Sequence, residues 1–171
     1  CLTNQSYPND RFEVIFINDQ SEDDTVAIID AHISQTDMDI TLIQSKYRTG
    51  TPLSPKKYAL LKGINQAKGE ILVLTDGDCW FEKKWLSTII SSFESEQVQF
   101  ISGPVALKGS GNLFSQMQIL EFASLMGSGG ALINLNYPLM CNGANLAYMK
   151  SAFMKVNGYE GNMENASGDD V

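Results

Sequence analysis

The sequence predicts an α/β fold in which a mostly parallel sheet is flanked by helices. Along residues 1–102, short apolar runs of strand length alternate with segments in which apolar residues recur at helical spacing. The run Ile71–Leu74 is unbroken and rich in branched residues, which is typical of a parallel strand covered on both faces. Hydrophobic residues make up 43% of the 171 residues, a composition that fits one globular domain with a sizeable core.

Four strands and three helices are predicted in this first part of the chain. The strands are placed at 12–17, 40–43, 71–74 and 98–102. The first helix follows an N-cap at Ser21 and runs to about residue 34. The second opens at Lys56 and is capped by Gly69, and the third spans 82–93.

After residue 103 the regular alternation ends. Residues 113–126 are predicted to form an amphipathic helix, and the glycine-rich stretch 127–130 a flexible joint after it. A turn at 141–145 then leads into a strand, Leu146–Met149, and a brief helix at 151–156. We therefore expect the second part of the chain to be a less regular extension of the same domain.

Charge and hydropathy exclude some classes of function. With 12 basic and 20 acidic residues the net charge is −8, which disfavours a nucleic-acid surface because phosphate binding needs clustered Lys and Arg. The sequence has no run of 18 apolar residues, so it predicts no transmembrane helix, and no signal peptide is visible. The sequence does not begin with Met, and we expect it to be an internal fragment of a longer protein.

Cysteine and histidine offer little chemistry. Cys1, Cys79 and Cys141 are widely spaced without a CxxC pair, so neither a disulfide framework nor a zinc site is indicated. Reduced thiols in a cytosolic setting are the simpler interpretation. The single histidine, His32, lies in a predicted amphipathic helix, where a surface or packing role is favoured over catalysis.

Carboxylates at predicted strand ends are the clearest functional signal. Acidic side chains recur at three separated points: Asp19, the pair Asp76 and Asp78, and the pair Asp169 and Asp170. The first two points follow predicted strands, and ligands of open α/β folds bind beyond the carboxyl ends of the strands. Hard oxygen ligands suit Mg²⁺ or Mn²⁺, with substrate phosphates completing the coordination.

These acids have other interpretations, as turn formers, helix caps or calcium ligands. Aspartate after a strand often only forms a turn or caps a helix, which is favoured for Asp23 and Asp24 and is an even alternative for Asp19. This turn or cap interpretation is weaker for Asp76 and Asp78, since a turn needs only one aspartate. A calcium loop starting at Asp76 fails because Ser87 would stand in place of the final glutamate. Neither a P-loop nor a GxGxxG motif after a strand is present.

Four segments, in order, resemble motifs of the family 2 glycosyltransferases. Phe-Glu-Val-Ile-Phe-Ile-Asn-Asp-Gln-Ser-Glu-Asp-Asp-Thr at 12–25 resembles their strand-plus-acid element. Ala-Leu-Leu-Lys-Gly-Ile-Asn-Gln-Ala-Lys-Gly-Glu at 59–70, running into Thr-Asp-Gly-Asp at 75–78, resembles their helix, strand and DxD motif. Asn-Gly-Ala-Asn-Leu-Ala-Tyr at 142–148 is similar to their acceptor-side turn, and Ser-Gly-Asp-Asp at 167–170 to their catalytic acid motif.

This resemblance implies a GT-A (Rossmann-like) fold and an inverting sugar transfer from a nucleotide-diphosphate sugar to an acceptor hydroxyl. It implies one catalytic domain over 1–171, with a nucleotide-sugar-binding half at 1–102 and an acceptor-side half at 103–171. A UDP-sugar is the favoured donor, and a carbohydrate or a lipid-linked molecule the expected acceptor. The expected setting is cell-surface glycan or glycolipid synthesis.

The resemblance also implies roles for individual residues. By position, Asp19 contacts the nucleotide base, Asp76 lies by the ribose and Lys57 reaches a phosphate. Asp78 holds a divalent metal, Mn²⁺ or Mg²⁺, on the diphosphate. Asp170 is the general base that deprotonates the acceptor hydroxyl. The remaining acceptor-side residues are Gly143, Asn145 and Asp169.

The sequence departs from the family pattern at both ends. The family's first strand, which forms part of the nucleotide pocket, does not precede Cys1, and a QxxRW-type motif would lie beyond Val171. We expect the 171 residues alone to be inactive, and the whole protein to be cytoplasmic, at the inner membrane face through segments outside this sequence. Two alternatives stay open: a non-catalytic nucleotide-sugar or glycan-binding domain, and a nucleotidyltransferase, which the missing Gly-rich basic loop disfavours.

Overall fold

A computed structural model describes residues 1–46 and 54–164 and has an α/β architecture, as predicted. Its strands are Val14–Asn18 (β1), Ile40–Gln44 (β2), Ile71–Leu74 (β3), Phe100–Ser102 (β4) and Leu146–Met149 (β5). Its α-helices are Thr25–Ile33 (α1), Pro55–Gln66 (α2), Trp85–Ser92 (α3), Leu113–Asn134 (α4) and Lys150–Lys155 (α5). Short 3₁₀ turns lie at Leu2–Asn4, Asn9–Arg11 and Gly143–Asn145.

The described strands form two sheets. β1 and β2 pair in parallel, from Val14 opposite Ile40 to Asn18 opposite Gln44. β5 lies between β3 and β4 and is antiparallel to both, so β3 and β4 share one direction. Both pairings described in this three-stranded sheet are therefore antiparallel. The pairing is therefore more mixed than the regular alternation of strands and helices suggested.

The hydrophobic core is centred on β5, whereas the sequence pointed to β3. Leu146, Ala147 and Tyr148 are all buried, and burial raises the pKa of the Tyr148 hydroxyl. In β3 only Leu72 is buried, and its neighbours are half-buried. β5 is covered more completely because a strand pairs with it on each edge. The core is completed by Ile64 of α2 and by Tyr159.

Helix α2 packs closely on β1. A side chain at Gly63 would collide with the Ile17 side chain, so the glycine allows the helix to approach the strand. The helix begins with Ser54 as N-cap and Pro55 in its first turn, and it ends at a C-cap on Ala67. The predicted cap at Gly69 is wrong, because the Gly69 N–H is bonded instead to the Glu13 carboxylate at 3.1 Å.

Other predicted boundaries are also corrected. The N-cap of α1 is Asp24, three residues after the predicted Ser21, since the Ser21 N–H is taken up by the Asn18 side chain at 3.2 Å. Strand β4 starts at Phe100 rather than at 98, and α3 starts at Trp85 rather than at 82.

The predicted flexible joint at 127–130 is wrong. Helix α4 continues through these glycines to Asn134. Gly129 is buried against Met140, and a Cβ at this position would lie 3.3 Å from the Met140 side chain. The small residue therefore allows close packing of the chain that returns after the helix. None of the helices described in the structure is both long and apolar enough to cross a membrane.

Candidate active site

The turn after β3 presents two carboxylates to solvent. β3 ends at Leu74, and both Asp76 and Asp78 are exposed in the turn that follows, which the Cys79 N–H closes on the Asp76 carbonyl at 3.3 Å. Trp80, directly after this turn, is 74% exposed. The sequence shows a tryptophan two residues after Asp78, but the motifs did not single it out as a residue of the site.

Asp76 faces the first turn of α2. Its Oδ1 lies 3.6 Å from the Lys56 Nζ, and both side chains are about half exposed. Such an exposed ion pair contributes little to stability, at most about 1 kcal/mol. Its importance is spatial, since it brings a cation to the carboxylate edge of β3. Lys56 thus joins the candidate site, whereas the sequence pointed to its neighbour Lys57.

Lys57 itself is fully buried. Its Nζ donates a 2.7 Å hydrogen bond to the backbone carbonyl of Asn162, 105 residues further along the chain. The side chain thus runs toward the turn at 157–164. Phosphate contact by Lys57 stays a prediction. The structure shows that this lysine also donates a hydrogen bond within the protein.

Asp19 is exposed directly after β1, and the residue before it, Asn18, is buried. The Asn18 Nδ2 donates to Gln44 Oε1 at 2.7 Å, at the end of β2. The Asn18 side-chain oxygen Oδ1 accepts from the Ser21 N–H. These two bonds fix the turn that carries Asp19. Asp23 nearby has the structural role expected of it, since hydrogen bonds from Thr25 lower the pKa of its carboxyl.

The residues that would hold a metal are oxygen donors on an open surface. Asp78 is exposed, and a weak contact from Cys79 Sγ lies at 3.9 Å. Within residues 1–46 and 54–164, no group of three or more His, Cys, Asp or Glu side chains converges as a metal cage. Mg²⁺ is usually bound through one or two carboxylates together with substrate phosphates, so this donor set fits such an ion.

The turn that the resemblance assigns to the acceptor side is built around Asn145. Its Oδ1 accepts from the Trp85 indole N–H at 3.0 Å, and its Nδ2 donates to the Pro104 carbonyl at 2.9 Å. Its own carbonyl accepts from the Gly103 N–H, and a side chain at Gly103 would collide with the Asn145 amide. Asn145 therefore joins α3 and the chain after β4 to the start of β5. Gly143 begins the same turn, which the Asn142 side chain caps at 2.9 Å.

We expect Asn145→Ala to lower the free energy of unfolding by about 1–3 kcal/mol, because the Trp85 N–H and the Pro104 carbonyl both lose a partner. Urea denaturation followed by tryptophan fluorescence measures the change. Asn65→Ala, at an exposed position of α2, is the control and is expected to stay within about 0.5 kcal/mol of the wild type. Equal stability of both variants would contradict this role of Asn145.

The proposed base is not among the described residues. Asp169 and Asp170 lie beyond Glu164, the last residue that the structure describes. The chain that leads to them is turned by Asn157, Gly158 and Gly161, all with positive φ. The Ser54 N–H donates to the Met163 carbonyl at 2.7 Å, so this chain runs beside the start of α2.

Comparisons with known sequences agree with the motifs. The sequence model of Glycosyl transferase family 2 matches residues 1–156. The chain is 30% identical over 106 residues to the glycosyltransferase AglE of Haloferax volcanii, a match that covers 61% of this chain and 33% of AglE. It is 28% identical over 85 residues to the poly(ribitol-phosphate) beta-N-acetylglucosaminyltransferase TarS of Staphylococcus aureus, covering 50% of this chain and 14% of TarS. The chain thus matches a third or less of these relatives.

Comparison with solved structures agrees on the fold. The crystal structure of S. aureus TarS 1–349 superimposes with a TM-score of 0.58 at 18% identity, covering 91% of this chain and 43% of that one. The complex of TarS 1–349 with UDP-GlcNAc gives a TM-score of 0.56 at 18% identity, covering 91% and 41%. These likenesses confirm the GT-A fold. With a family match over 1–156 and this fold, the chain belongs to glycosyl transferase family 2.

Proposed function

We propose that the protein transfers a sugar, with inversion at the anomeric carbon, from a UDP-sugar to an acceptor hydroxyl. The observation that carries the proposal is the exposed pair Asp76 and Asp78 at the carboxyl end of β3, in a chain of a glycosyltransferase family. Solved relatives of the same fold were crystallised with UDP and with UDP-GlcNAc, which supports a uridine nucleotide as the donor.

The donor half of the site is assigned to residues at the strand ends. Asp19, after β1, binds the nucleotide base, and Asp76 binds the ribose. Asp78 would hold a divalent ion, Mn²⁺ or Mg²⁺, for the diphosphate. When bound, that ion stabilises the negative charge of the departing nucleotide as a Lewis acid. Lys56, 3.6 Å from Asp76, adds a protein cation on the same edge.

The acceptor half is assigned to the later part of the chain. Asp170 removes the proton of the acceptor hydroxyl as the new glycosidic bond forms, because a neutral hydroxyl is a weak nucleophile. Inversion requires attack from the face opposite the leaving group, so the base must lie on that face, a placement that an acid from a distant segment of the chain can supply. Asp169 and the turn of Gly143 and Asn145 form the acceptor side.

The acceptor is proposed to be a carbohydrate or a lipid-linked molecule, in cell-surface glycan synthesis at the cytoplasmic face of a membrane. One feature of the structure supports membrane contact. Helix α4 exposes large apolar side chains near its start, namely Leu113, Phe114, Met117 and Leu120. Exposed apolar patches of this kind are typical of protein or membrane contact surfaces.

Nucleotide binding tests this proposal directly. We expect UDP to quench or shift the fluorescence of Trp80 in a saturable manner when Mn²⁺ is present, and EDTA to weaken the binding, since the ion links Asp78 to the diphosphate. Asp24→Asn, which changes an exposed acid at the start of α1, is expected to bind UDP as the wild type does. Failure of UDP, GDP and dTDP alike to bind would contradict the proposal, as would UDP affinity that EDTA leaves unchanged.

A further inference from the structure

Trp80 is an exposed indole on an otherwise polar part of the surface. It follows Asp78 by two residues, and its side chain is 74% exposed. Across residues 54–99, all of which the structure describes, no other large hydrophobic side chain is exposed. A single exposed apolar residue is common, but tryptophan is strongly buried on average and carries one of the largest apolar surfaces of any side chain. Its place beside two carboxylates therefore calls for a physical explanation.

The second tryptophan of the chain, Trp85, shows how the same segment uses an indole for structure. Trp85 is half-buried, and its ring stacks on Phe81 with the two ring centroids 4.0 Å apart. Its indole N–H donates to Asn145 at 3.0 Å. Trp80 makes no ring contact and no side-chain hydrogen bond with the residues that the structure describes. Packing within the described part of the chain thus accounts for Trp85 and leaves Trp80 without a structural role.

The backbone places Trp80 between the two halves of the candidate site. On its N-terminal side it is two residues from Asp78, so the two Cα atoms lie within about 7 Å of each other. On its C-terminal side it adjoins Phe81, whose ring is held against Trp85 and through it against Asn145. The position of Trp80 is therefore fixed on both sides by ordered neighbours, while its ring faces solvent.

We propose that Trp80 is a platform on which the ring of a sugar stacks beside the carboxylates of the turn after β3. The inference deepens the proposed transferase function and rests on it. A pyranose presents C–H groups on its faces and hydroxyl groups around its edge. The C–H groups pack against the electron-rich face of an indole, and carboxylates accept hydrogen bonds from the hydroxyls. Trp80 with Asp76 and Asp78 offers both kinds of contact within five residues.

Two sugars meet at the reaction centre of a glycosyltransferase, that of the donor and that of a carbohydrate acceptor. The donor sugar is bonded to the diphosphate for which Asp78 is proposed to hold the ion, and the acceptor must reach the same anomeric carbon. Both rings have the C–H face that an indole recognises, so the test separates the two sources. The uracil base is proposed to lie by Asp19 at the end of β1, so UDP without a sugar serves as an internal control.

The test uses saturation-transfer-difference NMR on the full-length protein with Mg²⁺, which does not broaden the signals as Mn²⁺ does. The donor probes are UDP-glucose, UDP-galactose and UDP-GlcNAc, and the acceptor probes are the methyl β-glycosides of the same three sugars. Trp80→Ala removes the ring, and Trp80→Phe keeps an aromatic face. Tyr137→Ala is the matched control, because it removes another exposed ring, 64% exposed in the chain after α4.

We expect Trp80→Ala to remove most of the saturation of the pyranose protons in at least one probe and to raise the Kd of that probe about three- to ten-fold. The Kd of UDP alone is expected to stay at the wild-type value, and Trp80→Phe to restore most of the pyranose signal. An effect on the UDP-sugars assigns the platform to the donor, and an effect on the methyl glycosides assigns it to the acceptor. Tyr137→Ala is expected to behave as the wild type.

Three results would overturn the inference. One is pyranose signals that are the same in Trp80→Ala and the wild type for every probe. Another is a loss of affinity for UDP alone that equals the loss for the UDP-sugars, which would assign the ring to the nucleotide. The third is a lower urea midpoint for Trp80→Ala with unchanged pyranose signals, which would mean that the ring packs on protein. Glycoside signals that depend on Trp80 without any binding of UDP would count against the transferase function and not against the platform.

Discussion

Replacing Asp170 with asparagine is expected to lower the rate of sugar transfer by about 10²- to 10⁴-fold, the usual contribution of a general base. Asparagine keeps the size of the side chain and cannot accept the proton of the acceptor hydroxyl. The donor site is proposed to lie at the ends of β1 and β3, so the Kd for UDP is expected to stay at the wild-type value. Steady-state kinetics and a UDP titration on the same preparation measure both quantities.

Glu160→Gln is the control for this variant. Glu160 is an exposed acid in the turn that precedes the proposed base, and its loss is expected to change neither kcat nor UDP affinity. Equal turnover by Asp170→Asn and the wild type would show that another group removes the proton. A protein that binds UDP-sugars but transfers nothing, with or without Asp170, would instead be a binding domain of this fold.

The second large effect is expected for Asp78→Asn. The amide is a much weaker metal ligand than the carboxylate, so the variant loses the charge that would hold the ion in the donor site. Metal stabilisation of a developing charge contributes several kcal/mol, and each 1.36 kcal/mol is a factor of ten in rate, so kcat/KM is expected to fall by about 100-fold or more. A Mn²⁺ titration of activity is the measurement.

Asp76→Asn provides the contrast within the same turn. Asp76 is assigned to the ribose and pairs with Lys56, so its replacement is expected to weaken donor affinity while the Mn²⁺ concentration needed for half-maximal activity stays as in the wild type. If Asp78→Asn responded to Mn²⁺ as the wild type does, Asp78 would not be the metal ligand. If only Asp76→Asn changed the Mn²⁺ response, the two roles would have to be exchanged.

The sequence predicted the parts of the fold that depend on local periodicity. Strands β1, β2 and β3 and helices α1, α2 and α3 were expected within four residues of where they lie, and β3 has the predicted bounds. The exposed acids after β1 and β3 were located correctly because strand ends are visible as the ends of apolar runs. The start of α1 differed from the prediction in the segment where the Asn18 side chain accepts a hydrogen bond from the Ser21 N–H.

Features that depend on distant contacts were not predictable. Leu146–Met149 is a short strand in sequence, and only its pairing with both β3 and β4 makes it the most buried of the described strands. Glycines at 127–130 suggest a joint, and α4 instead continues through them, with Gly129 packed on Met140. In each case the deciding partner lies elsewhere in the chain.

The same holds for two site residues. A lysine at the start of a helix is normally solvent-exposed, and Lys57 is buried because its partner carbonyl arrives from a turn 105 residues away. Asn145 was predicted from its motif alone, and its bonds to Trp85 and Pro104 show that its amide also holds together three segments of the domain. An acceptor contact by Asn145 stays a prediction.

The configuration of the transferred sugar tests the central claim most directly. The full-length protein is incubated with Mn²⁺, a panel of α-linked UDP-, GDP- and dTDP-sugars and a panel of carbohydrate and lipid-linked acceptors, and the anomeric proton of the product is observed by ¹H NMR. We predict product from a UDP-sugar, with the anomeric coupling constant of the β-linkage that inversion yields. An α-linked product, or no transfer from any donor in the panel, would contradict the account.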